Sequence, residues 1–90
     1  FYVSQNYPNP FNPSTSFYID MPEAGNLSVK VFDVNGRMVK ELFNTYVNTG
    51  RVQARWSGKN EFDMMSTTGI YFLRVETSTN YHVQKLALIK

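Results

Sequence analysis

The sequence predicts a small antiparallel β-sandwich, and three observations support this prediction. The chain has 90 residues, which suits one small domain. Aromatic residues make up 16% of it, and aromatic side chains, like β-branched ones, fit the half-buried faces of sheets. Short segments of alternating apolar and polar residues recur between turn signals spaced about 8–12 residues apart, which is the pattern of a sandwich.

The first 14 residues predict an irregular lead-in strap, and residues 15–90 predict the sandwich itself. Prolines and asparagines alternate in the strap around two aromatic residues, giving Tyr7, Pro8, Asn9, Pro10, Phe11, Asn12 and Pro13. Each proline fixes its own φ and disfavours helix in the residue before it, so the strap cannot be helical and is a poor central strand. Tyr7 and Phe11 are expected to pack onto the domain.

The clearest strands come next in the chain. Ser16–Met21 is expected to be a strand whose apolar face consists of Phe17, Ile19 and Met21. A second strand alternates in the same way and has an apolar face formed by Leu27, Val29 and Val31. Asn35-Gly36 then predicts a type I′ hairpin turn, because both residues tolerate positive φ, and the chain returns over Arg37–Phe43.

Three further strands are predicted in the second half of the chain. After a turn at Asn48-Thr49-Gly50, one strand carries the alternating residues Val52, Ala54 and Trp56. Residues 57–68 contain Ser57, Gly58, Asn60, Asp63 and three consecutive hydroxyl residues, which predicts a long loop with room for a short edge strand. Gly69–Thr77 is nearly continuously apolar, which predicts a central strand covered on both faces. The last strand, Tyr81–Ile89, has one face formed by Tyr81, Val83, Lys85, Ala87 and Ile89, and another by His82, Gln84, Leu86 and Leu88.

The composition argues against several classes of site. Cysteine is absent and His82 is the one histidine, which removes thiolate chemistry and the usual zinc ligand sets. His82 has no orienting acid or nucleophile near it in sequence, so no catalytic residue, metal ligand or cofactor is predicted. A net charge of +2 without a basic cluster gives no nucleic-acid site. No apolar run approaches the roughly 20 residues of a membrane helix.

Two patterns carry a functional interpretation beside a structural one. Asp33-Val34-Asn35-Gly36 has the spacing that opens a calcium loop, but no acidic ligands follow, so a hairpin turn is the favoured interpretation. Tyr7, Phe11, Trp56 and Tyr81 could form an aromatic platform for sugar rings. Trp56 shares the alternation of Val52 and Ala54, which favours a place in the core.

Five segments, taken in order, carry a family resemblance. They are Gln5–Thr15, Val31–Val39, Trp56–Asn60 after Gly50, Gly69–Val75 and Lys85–Lys90. Together they resemble the C-terminal sorting domains, type A, of the type IX secretion system, over about residues 3–90. Ser57 stands where the family usually has Asp, and Asp63 where Gly is common, so the details of the 57–68 loop stay open.

The resemblance implies an immunoglobulin-like β-sandwich of about seven strands. It implies a sorting signal, not an enzyme, that directs an exported cargo protein through the type IX system to the cell surface or exterior. The implied partners are the outer-membrane shuttle and translocon proteins, a cell-surface sortase and the cargo fused upstream. The alternative function is an accessory carbohydrate- or protein-binding module of a secreted multidomain enzyme.

Three groups of residues are expected to matter for the implied function. The strap, from Tyr7 to Pro13, is interpreted as a structural cap with cleavage upstream of Asn6, or as a linker near the sortase site. The hairpin group is Asp33, Gly36 and Arg37. The hypothetical recognition strand contributes Lys85, Leu86, Leu88, Ile89 and Lys90; its alternative is an ordinary core strand with solvated lysines.

Overall fold

A computed structural model describes residues 1–89 of the chain. Its strands are β1 (Tyr2–Val3), β2 (Thr15–Met21), β3 (Gly25–Phe32), β4 (Met38–Val47), β5 (Gly50–Trp56), β6 (Gly69–Glu76) and β7 (Tyr81–Leu88). They form a three-stranded sheet in the order β1-β2-β5 and a four-stranded sheet in the order β4-β3-β6-β7, with every strand pair antiparallel. The prediction of a small all-β sandwich of about seven strands is confirmed.

The core lies between the inner faces of the two sheets. Strand β2 buries Phe17, Ile19 and Met21, and β3 buries Leu27, Val29 and Val31, as the alternation predicts. Each such side chain contributes about 1.5–3 kcal/mol on leaving water. The lead-in is not irregular throughout, because Tyr2–Val3 pairs with β2 and Val3 is buried.

The turn between β3 and β4 is a hairpin, but its predicted type is wrong. Gly36 has φ +80°, whereas Asp63 is the one non-glycine residue with positive φ in the part of the chain described, so Asn35 does not share this conformation. The Gly36 N–H donates to the Asp33 carbonyl at 3.0 Å. The Asp33 carboxylate also accepts the Asn35 N–H at 2.9 Å, a local bond that favours an ordinary turn followed by a left-handed glycine.

Strand β6 is central, between β3 and β7, but it is not covered on both faces as predicted. Its inner residues Tyr71, Leu73 and Val75 are buried, while its outer residues are half-buried or exposed. The apolar outer residue Phe72 lies opposite Phe32 of β3, and the Arg74 guanidinium lies 4.2 Å from the centre of the Phe32 ring. The apolar run therefore reflects an outer aromatic pair under an arginine, not a second covering layer.

Trp56 belongs to the core, as its alternation predicts. It is 1% exposed and packs between Phe11 and Tyr71, with ring centroids 5.5 and 5.2 Å away. Its indole N–H donates to the Lys59 carbonyl at 3.0 Å. The Tyr71 hydroxyl donates to the Thr67 carbonyl. The polar groups of Trp56 and Tyr71 therefore both bind the backbone of the 57–68 loop.

The two ends of the sandwich carry different parts of the chain. Phe1 lies beside the 22–25 and 77–80 turns, because Tyr2 pairs with Asp20 at the far end of β2. The opposite end, called the distal end below, holds the β3–β4 turn, the 57–68 loop and the end of β7. The domain measures 37 × 23 × 20 Å, so these ends are well separated.

Candidate recognition surface

The strap connects the two sheets along one side of the sandwich. It first continues the pairing of β1 with β2, since the Ser4 N–H donates to the Tyr18 carbonyl at 2.9 Å. Tyr7 and Ser16 then exchange two backbone hydrogen bonds, of 2.8 and 3.0 Å. Beyond Tyr7 the strap leaves the three-stranded sheet and crosses to β7.

Phe11 attaches the strap to β7. Its N–H donates to the Ala87 carbonyl at 2.9 Å, and its carbonyl accepts the Ile89 N–H at 2.9 Å, which forms a short parallel bridge. The Asn9 side-chain oxygen accepts the Ala87 N–H at 3.2 Å. The strap therefore behaves as an added strand at the distal end of β7, the edge of the four-stranded sheet.

The two aromatic residues of the strap have different environments. Phe11 is 1% exposed and packs on Trp56, as expected of an anchor. Tyr7 is 83% exposed, so the expectation that it anchors the strap is wrong. The reason is its bridge to Ser16, because directly paired residues share a face and Ser16 points outward from β2. The remaining predicted cap residues are exposed as well: Pro8, Asn9, Pro10, Asn12 and Pro13.

A buried polar network fastens the beginning of the strap to β7. The Gln84 amide nitrogen donates to the Ser4 carbonyl at 3.2 Å and to the Asn6 side-chain oxygen at 3.1 Å. Asn6 donates to the Thr15 hydroxyl at 3.1 Å, and that hydroxyl donates to the Pro8 carbonyl at 2.8 Å. Because each buried group has a partner, the network stabilises one arrangement of strap and strand.

Sequence reasoning missed this network, although one signal was present. Gln84 was correctly assigned to the face of Leu86 and Leu88, and a polar residue on an apolar face requires a buried partner. His82 extends this hydrogen-bond network, because its ring nitrogen Nε2 lies 3.0 Å from the Gln84 side-chain oxygen. Since the Gln84 amide nitrogen already donates twice, that oxygen accepts and the His82 ring nitrogen donates.

The hairpin group forms a closed turn. The Asp33 carboxylate accepts the Arg37 backbone N–H at 3.0 Å and the Arg37 guanidinium at 3.1 Å. The backbone bond from Arg37 lowers the pKa of Asp33 below its usual value, and the Asn35 bond adds to this effect against partial desolvation. The carboxylate oxygens thus serve the turn, as the hairpin interpretation proposes. In residues 1–89, no cluster of three metal-binding side chains occurs.

Strand β7 divides the hypothetical recognition residues between two faces. Leu86 and Leu88 are 0% and 1% exposed, so both belong to the core of the folded domain. Lys85 and Ile89 point outward, and Tyr81 and Val83 share their face with 63% and 47% exposure. Lys90 lies outside the described residues.

The aromatic platform is ruled out by burial and by position. Phe11 and Trp56 are buried in the core. Tyr7 lies on the outer face of the three-stranded sheet beside Ser16, whereas Tyr81 lies on the outer face of the four-stranded sheet. The four rings therefore present no common surface. No helix long and apolar enough to cross a membrane occurs in the described part of the chain.

The two sheets define a small β-sandwich module, and its residues 1–89 contain no cluster of three His, Cys, Asp or Glu side chains that could hold a metal ion. The chain matches the model of the secretion system C-terminal sorting domain over residues 5–90, and it belongs to that family. It is a C-terminal sorting signal of the type IX secretion system, which directs export to the cell surface or exterior.

Solved structures share the fold. Dimeric latent PorU from Porphyromonas gingivalis superposes with a TM-score of 0.76 at 18% identity, over 94% of this chain and 9% of PorU. PorZ, a surface component of the type IX system of P. gingivalis, superposes with a TM-score of 0.63 at 24% identity, over 99% of this chain and 11% of PorZ. FLGD from P. aeruginosa superposes with a TM-score of 0.63 at 23% identity, over 82% of this chain and 60% of FLGD. The chain thus spans a small part of PorU and PorZ, and no curated protein matches it.

Proposed function

We propose that the type IX machinery recognises this sorting signal as a folded domain, on the outward side of β7. The observation that supports this most directly is the alternation along the strand. Leu86 and Leu88 are committed to the core, whereas Tyr81, Val83 and Lys85 form a continuous outward row. A partner that meets the folded domain contacts the outward row, and the buried leucines keep that row in place.

The partners proposed for this surface are the outer-membrane shuttle and translocon of the type IX system. A cell-surface sortase acts later, and the cargo is joined upstream of the domain. Family membership and the folds of PorU and PorZ support this assignment. In this role the domain is the substrate of the sortase and not an enzyme, and its one histidine serves the Gln84 network.

The strap is proposed to be a structural cap with cleavage upstream of Asn6. Ser4, Asn6 and Phe11 are all buried, so a protease cannot bind this stretch in extended form without breaking the contacts of the strap with the two sheets. The mass of the domain released from the cell surface tests the proposal. A mature N-terminus at or before Asn6 is expected, and one between Asn9 and Thr15 would show that the strap is the sortase linker.

A matched pair of tyrosines tests the recognition surface. Tyr81 on β7 and Tyr46 on β4 lie on the two edges of one sheet and are 63% and 65% exposed. The chain is fused behind a periplasmic reporter in a bacterium with a type IX system, and surface display is measured. Tyr81→Ser is expected to lower display several-fold, and Tyr46→Ser to leave it unchanged. Equal display from both, with equal thermal stability, contradicts the proposal.

Deletion of residues 81–90 is a weaker test than these point variants. It removes Leu86, Leu88 and Gln84 together, so the core and the strap network are lost with the surface. Loss of display in that variant reports unfolding as much as recognition. Normal display would nevertheless contradict the proposal outright.

A further inference from the structure

We propose that Tyr81–Lys85 of β7 binds an extended acidic segment of its partner by strand addition, with backbone hydrogen bonds as the main contact. This inference rests on the proposed function, because it names the chemistry of the partner on the same surface. Strand addition gives affinity through the main chain and selectivity through alternate side chains.

The direction of the backbone groups follows from two observations at opposite ends of β7. At the distal end, the N–H and C=O of Ala87 point away from β6 and bond to the strap. At the other end, the Asn80 carbonyl accepts the Thr77 N–H, so it points toward the β6 side. The register between β6 and β7 runs from Gly69–Leu88 to Glu76–Tyr81 without a shift.

Alternation along this regular ladder assigns the remaining backbone groups. In an antiparallel pair, successive residues direct their N–H and C=O to opposite sides. Tyr81, Val83 and Lys85 therefore point the same way as Ala87, away from β6. No described strand pairs with them on that side, where they present three donors and three acceptors in one row.

The strap shows that this edge accepts a strand, and it also limits the length of the partner. Phe11 pairs with Ala87 and Ile89, and Asn9 covers the Ala87 N–H. The free row ends where the strap begins. Tyr81–Lys85 spans about 13 Å at about 3.3 Å per residue, so the edge has room for about five residues of an added strand.

The charges beside the free row favour an acidic partner. Lys85 is exposed and has no ion-pair partner within residues 1–89. Arg74 of β6 lies opposite Val83, but Glu76 pairs with it, so Lys85 is the charge beside the free row that has no ion-pair partner in the described residues.

The acids on this face lie farther from the free row or are already paired. Glu76 pairs with Arg74 at 3.0 Å, and Glu41 lies on β4, at the other edge of the sheet. An added strand with apolar residues near Tyr81 and Val83 and a carboxylate near Lys85 therefore complements the surface.

Two substitutions at Val83 separate backbone from side-chain recognition. Val83→Pro removes the outward N–H, and proline is tolerated on edge strands. Val83→Ala removes the side chain and keeps the N–H. In the display assay, we expect Val83→Pro to lower display about tenfold and Val83→Ala to lower it less than about twofold, because main-chain bonds dominate strand addition.

The pattern of losses distinguishes the two levels of the proposal. If Val83→Pro and Val83→Ala lower display equally, the surface is recognised through side chains, and strand addition is wrong while the proposed function stands. If both variants and Tyr81→Ser display normally, the proposed function itself fails. Equal thermal unfolding midpoints of the purified variants exclude misfolding as the cause.

A direct measurement on the unaltered chain removes the dependence on a proline variant. The probe is a capped five-residue peptide that alternates valine and glutamate, with a valine–lysine peptide as its control. Amide exchange at Tyr81, Val83 and Lys85 is expected to slow by about tenfold or more with the glutamate peptide, because those N–H groups become bonded. Unchanged exchange overturns the inference, as does an equal effect of the lysine peptide.

Two further outcomes decide the identity of the occupant. Lys85→Glu is expected to weaken binding of the glutamate peptide and to strengthen binding of the lysine peptide. If the preference does not change in this way, the partner is not acidic. If the same amides become protected at rising protein concentration without peptide, and sedimentation shows a dimer, the occupant is a second copy of this chain and the inference is wrong.

Discussion

Strands β4 and β7 are the two edges of one sheet, and the protein protects them differently. Each edge is covered at the distal end. On β4, the Val39 carbonyl accepts the Glu61 N–H at 3.1 Å, and the Glu61 carboxylate accepts the Glu41 N–H at 2.6 Å. On β7, Phe11 and Asn9 of the strap provide the equivalent cover.

The ladders that hold the two edge strands differ in regularity. The β3–β4 ladder has register shifts between Val29 and Lys30 and between Val31 and Phe32, whereas the β6–β7 ladder has none. Bulges bend a strand and interrupt its row of donors and acceptors, which protects an edge from unwanted pairing. The shifts lie in the distal half of β4, where Glu61 also caps the strand. That half is therefore protected by bulges as well as by a cap, whereas β7 stays regular and relies on the strap alone.

The largest difference is expected for the two leucines of these edges. Leu86 of β7 is fully buried, so Leu86→Ala should lower the free energy of unfolding by about 2–5 kcal/mol. Leu42 of β4 is half-buried, and Leu42→Ala should cost about 1 kcal/mol. Urea denaturation of both variants measures the gap. Equal losses would mean that β7 is no more embedded in the core than β4.

The next largest difference in stability is expected between alanine substitutions at Gly58, which lies against the strap, and at Gly36, which does not. Both have φ +80°, which costs about 1–2 kcal/mol for other residues. A Cβ on Gly36 meets open space, so Gly36→Ala should cost about 1 kcal/mol. A Cβ on Gly58 lies 2.9 Å from the Pro13 carbonyl oxygen, so Gly58→Ala should cost about 2–3 kcal/mol. Thermal and urea unfolding of the pair checks this order; the reverse order contradicts it.

The two edge caps should have similar, smaller effects. Asn9→Ala removes the acceptor of the Ala87 N–H, and Glu61→Ala removes that of the Glu41 N–H. Each should cost about 1 kcal/mol and speed exchange at its own amide. Hydrogen exchange followed by NMR, residue by residue, makes each variant the control for the other. Faster exchange at both amides in one variant would show that the caps are coupled.

The smallest effect is expected from acid, and it should touch one edge alone. The folded-state pKa of Asp33 lies below the unfolded value of 3.8, so its stabilising effect is complete above that pH and is lost as the pH falls through the folded pKa. The Ala87 cap uses the Asn9 amide, which does not titrate. The Arg37 amide shift should therefore move with a midpoint below 3.8 while that of Ala87 stays constant. Asp33→Asn should abolish the pH dependence of the Arg37 amide shift, because it removes the titrating carboxylate.

The strands were predictable because their information is local. In β3, alternation between turn signals assigns the face of Leu27, Val29 and Val31 without knowledge of the partner strands. The same argument assigned both faces of β7. It failed for the outer face of β6, since Phe72 lies opposite Phe32 of β3, a residue 40 positions away in the chain. The Arg74 guanidinium covers the Phe32 ring, a contact across strands that periodicity does not indicate.

The recognition surface was less predictable because its contacts are distant in sequence. Tyr7 was expected inside, but its bridge to Ser16 turns it outward. Gln84 was given its correct face, yet its partners Asn6 and Ser4 lie 78 and 80 positions away. Periodicity gives the direction of a side chain but not which distant group it meets.

The long sequence separation within the strap network has a consequence for the timing of folding. The contacts of Gln84 with Ser4 and Asn6 close loops of 80 and 78 residues in a chain of 90. Such closure is entropically costly, and non-local sheet pairing is slow, so these contacts form late. The open edge of β7 is held in place by the same contacts. A partner that binds this edge therefore selects chains that have finished folding over those still in progress.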